Sequence, residues 1–350
     1  MDATFYGPSA KSRILRMELL NNRTFDELIG AEAFGDILRI MNGTPYGVHI
    51  KALSLMYSSY ELLELASDRR MFETVMKLAE APPSNGSETI KSYISRWDIE
   101  SIKSLITSKF LGAELKRTDL FIVDQNNFPL VLMGKLLSKE DYSLIMNESD
   151  VEGISKYLIK LGYGVYLMRY IEEYRKEKDI SVLLYSLDLA YYMRLSASVK
   201  YFLGNEEPMR DFVRSEIDLK NLLTLLKGKE LKLDFEIIMN GLIEFGNLSR
   251  ERMRELYAND FPVVKSSILS VFGVKKVPEG QLGIGDIEVL LRKELYARTI
   301  DRFSIQANSI GQIFLTILKY EIERNNLRLI FAGKAYGLKP EKIKEMMITL

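Results

Sequence analysis

The segment WDIESIKSLITSKFLG at Trp97–Gly112 aligns without a gap with IDLKNLLTLLKGKELK at Ile217–Lys232 and with IERNNLRLIFAGKAYG at Ile322–Gly337. All three copies have an acidic residue at the second position, apolar residues at the sixth and ninth, and a lysine at the thirteenth. The copies start at positions 97, 217 and 322, which are 120 and then 105 residues apart. Such a near-period indicates a triplicated unit.

The spacing inside this motif predicts one helix per copy. In the first copy Asp98, Ile102, Leu105 and Lys109 step by four and three residues, so their side chains share one helix face. An acid near the start and a lysine near the end suit the partial charges at the two ends of a helix. The first and third copies end on glycine, where a left-handed cap would stop the helix. One such helix cannot bury its own apolar stripe, so we expect the three copies to pack together.

The polar positions of the motif allow two interpretations. In the first they only hold the fold together; in the second some of them line a shared central surface that faces a partner. The candidates are Asp98, Lys103, Lys109, Asp218, Lys229, Glu323, Asn326, Arg328 and Lys334.

The remainder of the chain also has helical periodicity. Thr24 and Glu27 have the spacing of a capping box and indicate a helix start. The apolar runs Leu120–Val123 and Leu130–Met133 are too short to indicate a sheet. Tyrosines recur at the spacing of a packed helix face, at Tyr163, Tyr166, Tyr170 and Tyr174. We therefore expect an all-α fold.

The repeat also bounds the domain organisation. A unit of more than 100 residues that occurs only three times favours closed pseudo-symmetry over an open solenoid, whose repeats are usually about 20 to 50 residues long. We expect residues 1–350 to form a single unit with approximate repeats 1–120, 121–235 and 236–350.

Composition excludes several classes of function. Lys plus Arg and Asp plus Glu each number 48, and without a basic excess we expect no nucleic-acid partner. There is no cysteine, and His49 is the one histidine, so disulfides, thiol nucleophiles, multi-histidine metal sites and a histidine triad are excluded. We expect His49 to be structural. No run approaches the roughly 18 apolar residues of a membrane helix, and no signal peptide is visible, so we expect a cytoplasmic protein.

Short phosphate-binding motifs are incomplete in this chain. Gly162–Gly164 and Gly283–Gly285 contain G-x-G, but neither follows a clear strand nor extends to G-x-G-x-x-G. Gly333-Lys334 lacks the upstream glycine and the following hydroxyl of a phosphate loop. We expect no direct nucleotide binding, no cofactor, no metal and no catalytic residue.

The residues and their order resemble a known family, the C subunit of archaeal and bacterial V/A-type ATP synthases, which is equivalent to the d subunit of the vacuolar H+-ATPase. The resemblance covers essentially the whole chain. Besides the motif copies it rests on Tyr6-Gly7, Arg13, Leu19-Leu20, Thr44-Pro45-Tyr46, Asn326-Leu327-Arg328, Gly333-Lys334 and Gly337-Leu338. The second copy departs from the pattern, with Leu223 where the others have a basic residue and Lys232 where they have glycine.

The resemblance implies a funnel with pseudo-threefold symmetry and a mechanical role. One face would lie on the membrane proteolipid ring, and the cavity would receive the axle made by the D- and F-type stalk subunits. The protein would be non-catalytic, would lie peripherally on the cytoplasmic side of the membrane, and would carry torque between the ATP-processing head and the ion-translocating ring.

Two other interpretations stay open from the residues. A helical-repeat scaffold would bind a protein on a concave surface and would be extended in shape. A helical enzyme with a carboxylate site would have a closed apolar pocket with convergent titratable groups. The coupling role instead predicts a wide polar cavity without such convergence.

Overall fold

The computed structural model describes residues 5–82, 84–113, 138–200 and 207–349. Within these ranges the chain forms 18 α-helices, one π-helical turn (Ile159–Tyr163) and no strand, which confirms the all-α prediction. The runs Leu120–Val123 and Leu130–Met133 lie outside the described residues.

The α-helices are, in chain order, α1 (Tyr6–Arg16), α2 (Asn22–Gly30), α3 (Phe34–Asn42), α4 (Gly47–Leu53), α5 (Ser59–Ala79), α6 (Ser84–Ile94), α7 (Arg96–Leu111), α8 (Lys139–Asn147), α9 (Val151–Leu158), α10 (Gly164–Glu177), α11 (Ser181–Lys200), α12 (Glu207–Glu230), α13 (Phe235–Asn240), α14 (Arg250–Ala258), α15 (Phe261–Phe272), α16 (Ile284–Ser304), α17 (Ile310–Ala335) and α18 (Pro340–Met346).

The helices recur in the same order along the chain. Each set contains, in this order, a nine-residue helix, a second helix of 8 to 12 residues, a long helix of 20 or 21 residues and the helix that carries the repeated motif. These sets are α2, α3, α5 and α7; α8, α9, α11 and α12; and α14, α15, α16 and α17. Additional elements interrupt the first two sets: α4 and α6 in the first, and the π-helical turn and α10 in the second. Each motif copy therefore lies in its own helix, as the spacing predicted.

The long helices and the motif helices pack in a cycle. Helix α17 packs against α5, which contacts α6; α6 and α7 pack on α11; α11 packs on α12, α12 on α16, and α16 again on α17. Helix α1 also lies against α17. The N-terminal and C-terminal parts of the chain are thus joined by direct helix packing.

The apolar columns of the motif form the inner core. Ile102, Leu222 and Leu327 are fully buried at the sixth position. The ninth position is equally buried, at Leu105, Leu225 and Ile330. Fully burying such side chains contributes about 1.5–3 kcal/mol each, which explains why these columns stay apolar in every copy.

The three motif helices end in the same way. The residue at the last position has a positive φ in each copy: 60° at Gly112, 56° at Lys232 and 68° at Gly337. The following N–H bonds back to the carbonyl five residues earlier, at 2.8–3.0 Å, which is the Schellman arrangement. Lys232 therefore holds a left-handed conformation that glycine adopts at no steric cost.

Three of the four nine-residue helices, α2, α8 and α14, are capped by short polar side chains, whereas α3 starts at Ala33 without a side-chain cap. The side chain of Asn21 accepts a hydrogen bond from the Thr24 N–H, so α2 begins earlier than the Thr24–Glu27 spacing predicted. That prediction was wrong because Asn21 and Thr24 are both good caps and the chain uses the first. Ser138 caps α8 and Ser249 caps α14 in the same manner.

The tyrosine stripe is mainly a packed face. Tyr163, Tyr170 and Tyr174 are buried, and the Tyr170 and Tyr185 rings meet edge to face with centroids 5.7 Å apart. His49 lies on α4 with most of its side chain covered, and burial lowers its pKa. None of the described helices is long and apolar enough to cross a membrane.

Candidate functional site

The third motif copy fixes the start of α2 with its acid and the end of α2 with its lysine. Glu323 is fully buried and accepts hydrogen bonds from the Leu20 N–H and the Tyr46 hydroxyl, both at 2.6 Å. The Lys334 Nζ donates to the carbonyl of Ile29 and, at 2.7 Å, to that of Ala31. Because Leu20 lies before α2 and Ala31 directly after it, one motif helix holds both ends of this nine-residue helix.

The second copy holds α14 in the same way. The buried Asp218 carboxylate accepts from the N–H groups of Asn247 and Leu248, both at 3.0 Å, and the Lys229 Nζ donates to the Tyr257 carbonyl at 2.9 Å. We call these two arrangements the α2 clamp (Glu323 and Lys334) and the α14 clamp (Asp218 and Lys229).

The fifth position of the motif repeats a third contact. Asn326 donates to the carbonyl of Ile348 at 2.7 Å and accepts from its N–H at 3.0 Å. Asn221 makes the same pair of bonds to Ile243, at 2.8 and 2.9 Å. The side-chain amide of Asn326 therefore satisfies the backbone N–H and carbonyl of a residue just after α18. The amide of Asn221 does the same for a residue just after α13.

Burial dominates the titration of the clamp acids. Desolvation raises the pKa of Glu323, and the hydrogen bonds from Tyr46 and Leu20 only partly oppose that rise. Desolvation likewise raises the pKa of Asp218 against its bonds to Asn247 and Leu248. These acids are structural groups that bind donors from a neighbouring segment.

At the aligned position one residue before the motif, side chains of the three copies contact one another. Arg96, Glu216 and Glu321 occupy this column, and the Arg96 guanidinium lies 2.5 Å from the Glu216 carboxylate and 3.5 Å from that of Glu321. The Tyr93 hydroxyl donates to Glu321 at 2.7 Å, and the Arg96 guanidinium also lies over the Tyr93 ring, 4.1 Å from its centroid. We call Arg96, Glu216 and Glu321 the axial triad.

A polar cavity of about 640 Å³ opens above the axial triad. Its walls come from α7, α11, α12, α16 and α17, and they include the triad. Seven residues after the triad, two motif side chains pair with flanking helices: Lys103 with Asp188 on α11, and Arg328, at 3.7 Å, with Glu64 on α5.

Comparison with known proteins finds matches over nearly the whole chain. The family model of the ATP synthase (C/AC39) subunit matches residues 8–346. This chain belongs to that family. Its relatives include the C subunit of the A-type ATP synthase of Thermoplasma acidophilum, which is 34% identical over 100% of this chain and 99% of the relative. The protein of the same description from Thermoplasma volcanium is 36% identical over the same shares, and that of Methanocaldococcus jannaschii is 24% identical over 98% and 86%.

The resemblance seen in the sequence is thus confirmed, and the chain is an ATP synthase subunit of the C/AC39 family. The structure places its candidate residues in two groups. The first group bonds to neighbouring segments of the same chain and consists of Asp218, Lys229, Glu323, Asn326 and Lys334.

The second group of candidates belongs to the first copy or faces the cavity. Arg328 lines the cavity, and Lys103 joins the wall through Asp188. Asp98 is buried on α7 and raises the pKa of Tyr163 through its negative charge, after the larger effect of burial. Lys109 lies half-buried in the last turn of α7. Some motif residues therefore hold the fold together, while others lie at the cavity wall.

The cavity can be compared with the closed apolar pocket that a helical enzyme with a carboxylate site would have. Its wall is polar, as the coupling role predicts, yet charged groups do converge on it. They converge as ion pairs, such as Arg292 with Glu288 at 2.8 Å and Arg324 with Asp68 at 2.5 Å. In the part of the chain that the structure describes, no group of three or more acids and histidines is arranged to hold a metal ion.

Sequence reasoning missed the axial triad although a signal for it existed. The aligned segments began one residue too late to include Arg96, Glu216 and Glu321. A column with one arginine and two glutamates does not look like a repeated position, but opposite charges are what three meeting side chains require. Extending the alignment and reading charge complementarity as well as identity would have found it.

Proposed function

We propose that this chain is the non-catalytic central-stalk subunit of a rotary V/A-type ATPase, which links the D- and F-type axle subunits to the membrane proteolipid ring. The observation that carries the proposal is the cycle of packed helices around a polar cavity, in a chain that belongs to the ATP synthase C/AC39 family. In this role the chain binds no nucleotide and no nucleic acid, needs no cofactor, and lies peripherally on the cytoplasmic side of the membrane.

We propose that the shape is a closed funnel of three pseudo-symmetric repeats. The repeated helix order, the equivalent clamps on α2 and α14, and the axial triad support this arrangement. The α2 clamp joins Glu323, near the C-terminus, to Leu20, near the N-terminus, so it also closes the cycle. The approximate repeats 1–120, 121–235 and 236–350 become, in this proposal, units that start at the caps Asn21, Ser138 and Ser249.

Torque transmission requires a stiff part. Interiors are close-packed and poorly compressible, so helices joined in a cycle have few soft joints. Buried ion pairs such as Arg96 with Glu216 add specific geometry at the base of the cavity, where the three motif helices meet. A twisting force applied at the cavity wall is then shared among all the helices of the cycle.

The test is a reconstitution from purified parts. Immobilised proteolipid ring in detergent is mixed with the D–F axle complex of the same ATPase, with and without this chain. We expect the ring to retain the axle only when the chain is present. Retention of the axle by the ring alone, or no retention with the chain present, would refute the linking role.

A capture experiment from the source gives the matching result in a native setting. The tagged chain is recovered from detergent-solubilised membranes, and its partners are identified by mass spectrometry. Co-recovery of head, axle and proteolipid subunits is expected. Recovery of the chain with soluble partners only would instead favour the scaffold interpretation.

A further inference from the structure

We propose that a groove beside α11 binds an anionic membrane lipid, with its phosphate on three arginines and its apolar chain against the groove wall. Two neighbouring cavities of about 470 and 380 Å³ form this groove, and both are lined by Met193 and Ala197 of α11. We call the two cavities together the α11 groove. The choice of a lipid as the occupant rests on the proposed function, because that role places the chain on a membrane.

The α11 groove is distinct from the polar cavity above the axial triad. Asp188 and Tyr192 of α11 line the polar cavity, whereas Ala190, Met193 and Ala197 line the groove. At 3.6 residues per turn these two sets lie on opposite faces of the helix. The groove is therefore on the face of α11 that is turned away from the polar cavity.

The charged side chains that line the groove are all cations in the part of the chain that the structure describes. Arg194 lines one cavity, and Arg210 and Arg214 line the other. All three are exposed, and none forms an ion pair with a described residue. Arg210 and Arg214 are one helical turn apart on α12, so their like charges repel each other. The complementary occupant is an anion, and guanidinium groups suit phosphate because they bind its oxygens in pairs.

The acids nearest to these arginines along α12 do not neutralise the groove. Glu207, Asp211 and Glu216 are not among its lining residues. Asp211 is bound by Arg302, and Glu216 is bound by Arg96 in the axial triad. The groove therefore presents positive charge although the charges of the whole chain sum to zero.

A buried hydroxyl in the groove wall has no partner. Tyr163 lines the same cavity as Arg194 and is only 6% exposed. Its hydroxyl makes no hydrogen bond within the described chain, and leaving a buried donor unpaired is costly. Burial raises the pKa of Tyr163, so the phenol stays protonated and can donate. Tyr163 also ends the π-helical turn, an element that is frequent at functional sites. A phosphate oxygen bound beside Arg194 would give this hydroxyl an acceptor.

The rest of the wall suits an apolar chain. Val199, Val213 and Phe245 line the larger cavity, and Ile99 and Leu161 line the smaller one. Phe245 is 49% exposed. Cavities of this size, mainly apolar with a few polar groups, are typical of small-molecule sites. A free phosphate would leave these apolar side chains in contact with water, whereas a lipid chain would cover them.

The position of the groove along α12 favours a membrane lipid. The residues of α12 that line the polar cavity begin at Glu216 and continue to Lys227. Arg210 and Arg214 precede Glu216 by six and two residues, which is about 9 and 3 Å along the helix. The groove thus extends past the axial triad, away from the polar cavity. In the proposed role the axle enters that cavity, so the opposite end faces the proteolipid ring and the lipid around it.

The test is co-flotation of the intact chain with vesicles of phosphatidylglycerol or of phosphatidylcholine. We expect binding to the anionic vesicles and none to the zwitterionic ones. Arg194→Gln/Arg210→Gln/Arg214→Gln should weaken that binding on the order of hundredfold, because each arginine near an anionic surface contributes about fivefold. Tyr163→Phe should weaken it about threefold without lowering the urea midpoint, since the hydroxyl that it removes has no partner in the chain.

A matched control separates the groove from general attraction between charges. Lys51→Gln/Lys176→Gln/Lys276→Gln removes three positive charges from exposed side chains outside the groove. It should weaken vesicle binding by less than about threefold, because exposed charges beyond a Debye length are screened. An equal loss in this control and in the arginine variant would mean that no specific site exists and would overturn the inference.

Soluble competitors identify the part of the lipid that is recognised. Short-chain phosphatidylglycerol should displace the chain from vesicles, whereas glycerol phosphate at the same concentration should not. Equal displacement by glycerol phosphate would show that the groove takes a free phosphate ester, and the lipid would be wrong.

The remaining outcomes keep this inference apart from the proposed function. Unchanged vesicle binding by the arginine variant or by Tyr163→Phe overturns the lipid site. Retention of the axle on the proteolipid ring should be the same for every variant, because the ring and the axle bind elsewhere. Failure of the unmodified chain in that retention assay overturns the proposed function, whereas failure in flotation alone overturns only the lipid site.

Discussion

Replacing Glu323 by alanine should release α2 while leaving α14 in place. The substitution removes a buried carboxylate that accepts from the Leu20 N–H and the Tyr46 hydroxyl, both at 2.6 Å. A hydrogen bond to a charged group contributes about 1.5–3 kcal/mol, and its loss leaves a buried donor unsatisfied. The desolvation that raises the pKa of Glu323 opposes part of that gain, so we expect a net loss of about 3 kcal/mol.

The measurement is native-state hydrogen exchange at the amides of α2. A loss of about 3 kcal/mol corresponds to roughly hundredfold faster exchange, since each 1.4 kcal/mol is a factor of ten. The matched variant is Asp218→Ala, which removes the acid that holds Leu248 before α14. Each substitution should accelerate exchange in its own helix and leave the other helix unchanged.

Two outcomes would show that the clamp acids do not hold α2 and α14 separately. If either substitution sped up exchange in α2 and α14 to the same extent, the acids would act through global stability. If exchange changed in neither helix, water would replace the clamp hydrogen bonds without loss of stability. In both cases the equivalence drawn between the second and third motif copies would have no energetic meaning.

Three further predictions follow from single positions. Lys232→Gly should raise the free energy of unfolding by about 0.5–1 kcal/mol, seen as a higher urea midpoint, because Lys232 has a φ of 56° where the other copies have glycine. Glu323→Gln should lower the stability at acid pH relative to alkaline pH. Because the pKa of Glu323 is raised in the folded state, its pH-dependent contribution to stability is complete below its unfolded value near 4.5 and is lost as the pH rises through the folded pKa. The urea midpoint at about pH 4 minus that at about pH 8 should therefore be smaller in the variant than in the unmodified chain. Gly333→Ala should cost about 1–3 kcal/mol in the same assay because its Cβ would lie 2.8 Å from Ile343 Cδ1, whereas Gly285→Ala, with open space at the Cβ, should cost nothing.

Local spacing was enough to predict the motif helices and their ends. The four-and-three steps from Asp98 to Lys109 indicated a helix, and α7 spans Arg96–Leu111. The glycines at 112 and 337 indicated left-handed caps, and both have that conformation. These features depend on residues within a few turns of one another, so the sequence carries them directly.

The partners of the polar positions could not be predicted in the same way. Asp218 bonds to Leu248, which is 30 residues ahead, but the equivalent Glu323 bonds to Leu20, which is 303 residues behind. The same motif thus reaches forward in one copy and back to the N-terminus in another. The two contacts are equivalent only because the N-terminal helices pack beside α17, as α14 packs beside α12. Such packing is tertiary structure, which local sequence spacing does not reveal.

The axial triad explains why the three copies differ in charge at the position of Arg96 but all carry an acid two residues later, at the position of Asp98. Asp218 and Glu323 bind different neighbouring segments, so an acid can be kept at this column without one acid facing the other. Arg96, Glu216 and Glu321 face one another, and three identical charges in contact would repel. Divergence to one arginine and two glutamates is the electrostatic condition for the three helices to meet.

The contact among the three motif helices depends on Arg96, which pairs with both glutamates. Arg96→Met leaves two buried carboxylates without their shared cation, and breaking a buried pair in this way costs about 3–5 kcal/mol. Adding Glu216→Gln and Glu321→Gln removes the unpaired charges and should recover most of that loss, which urea unfolding of the single and triple variants measures. A cost below about 1 kcal/mol for Arg96→Met, or no recovery in the triple variant, would mean that apolar packing alone brings the three helices together. Recovery would instead show that charge complementarity at this column is what the diverged copies preserved.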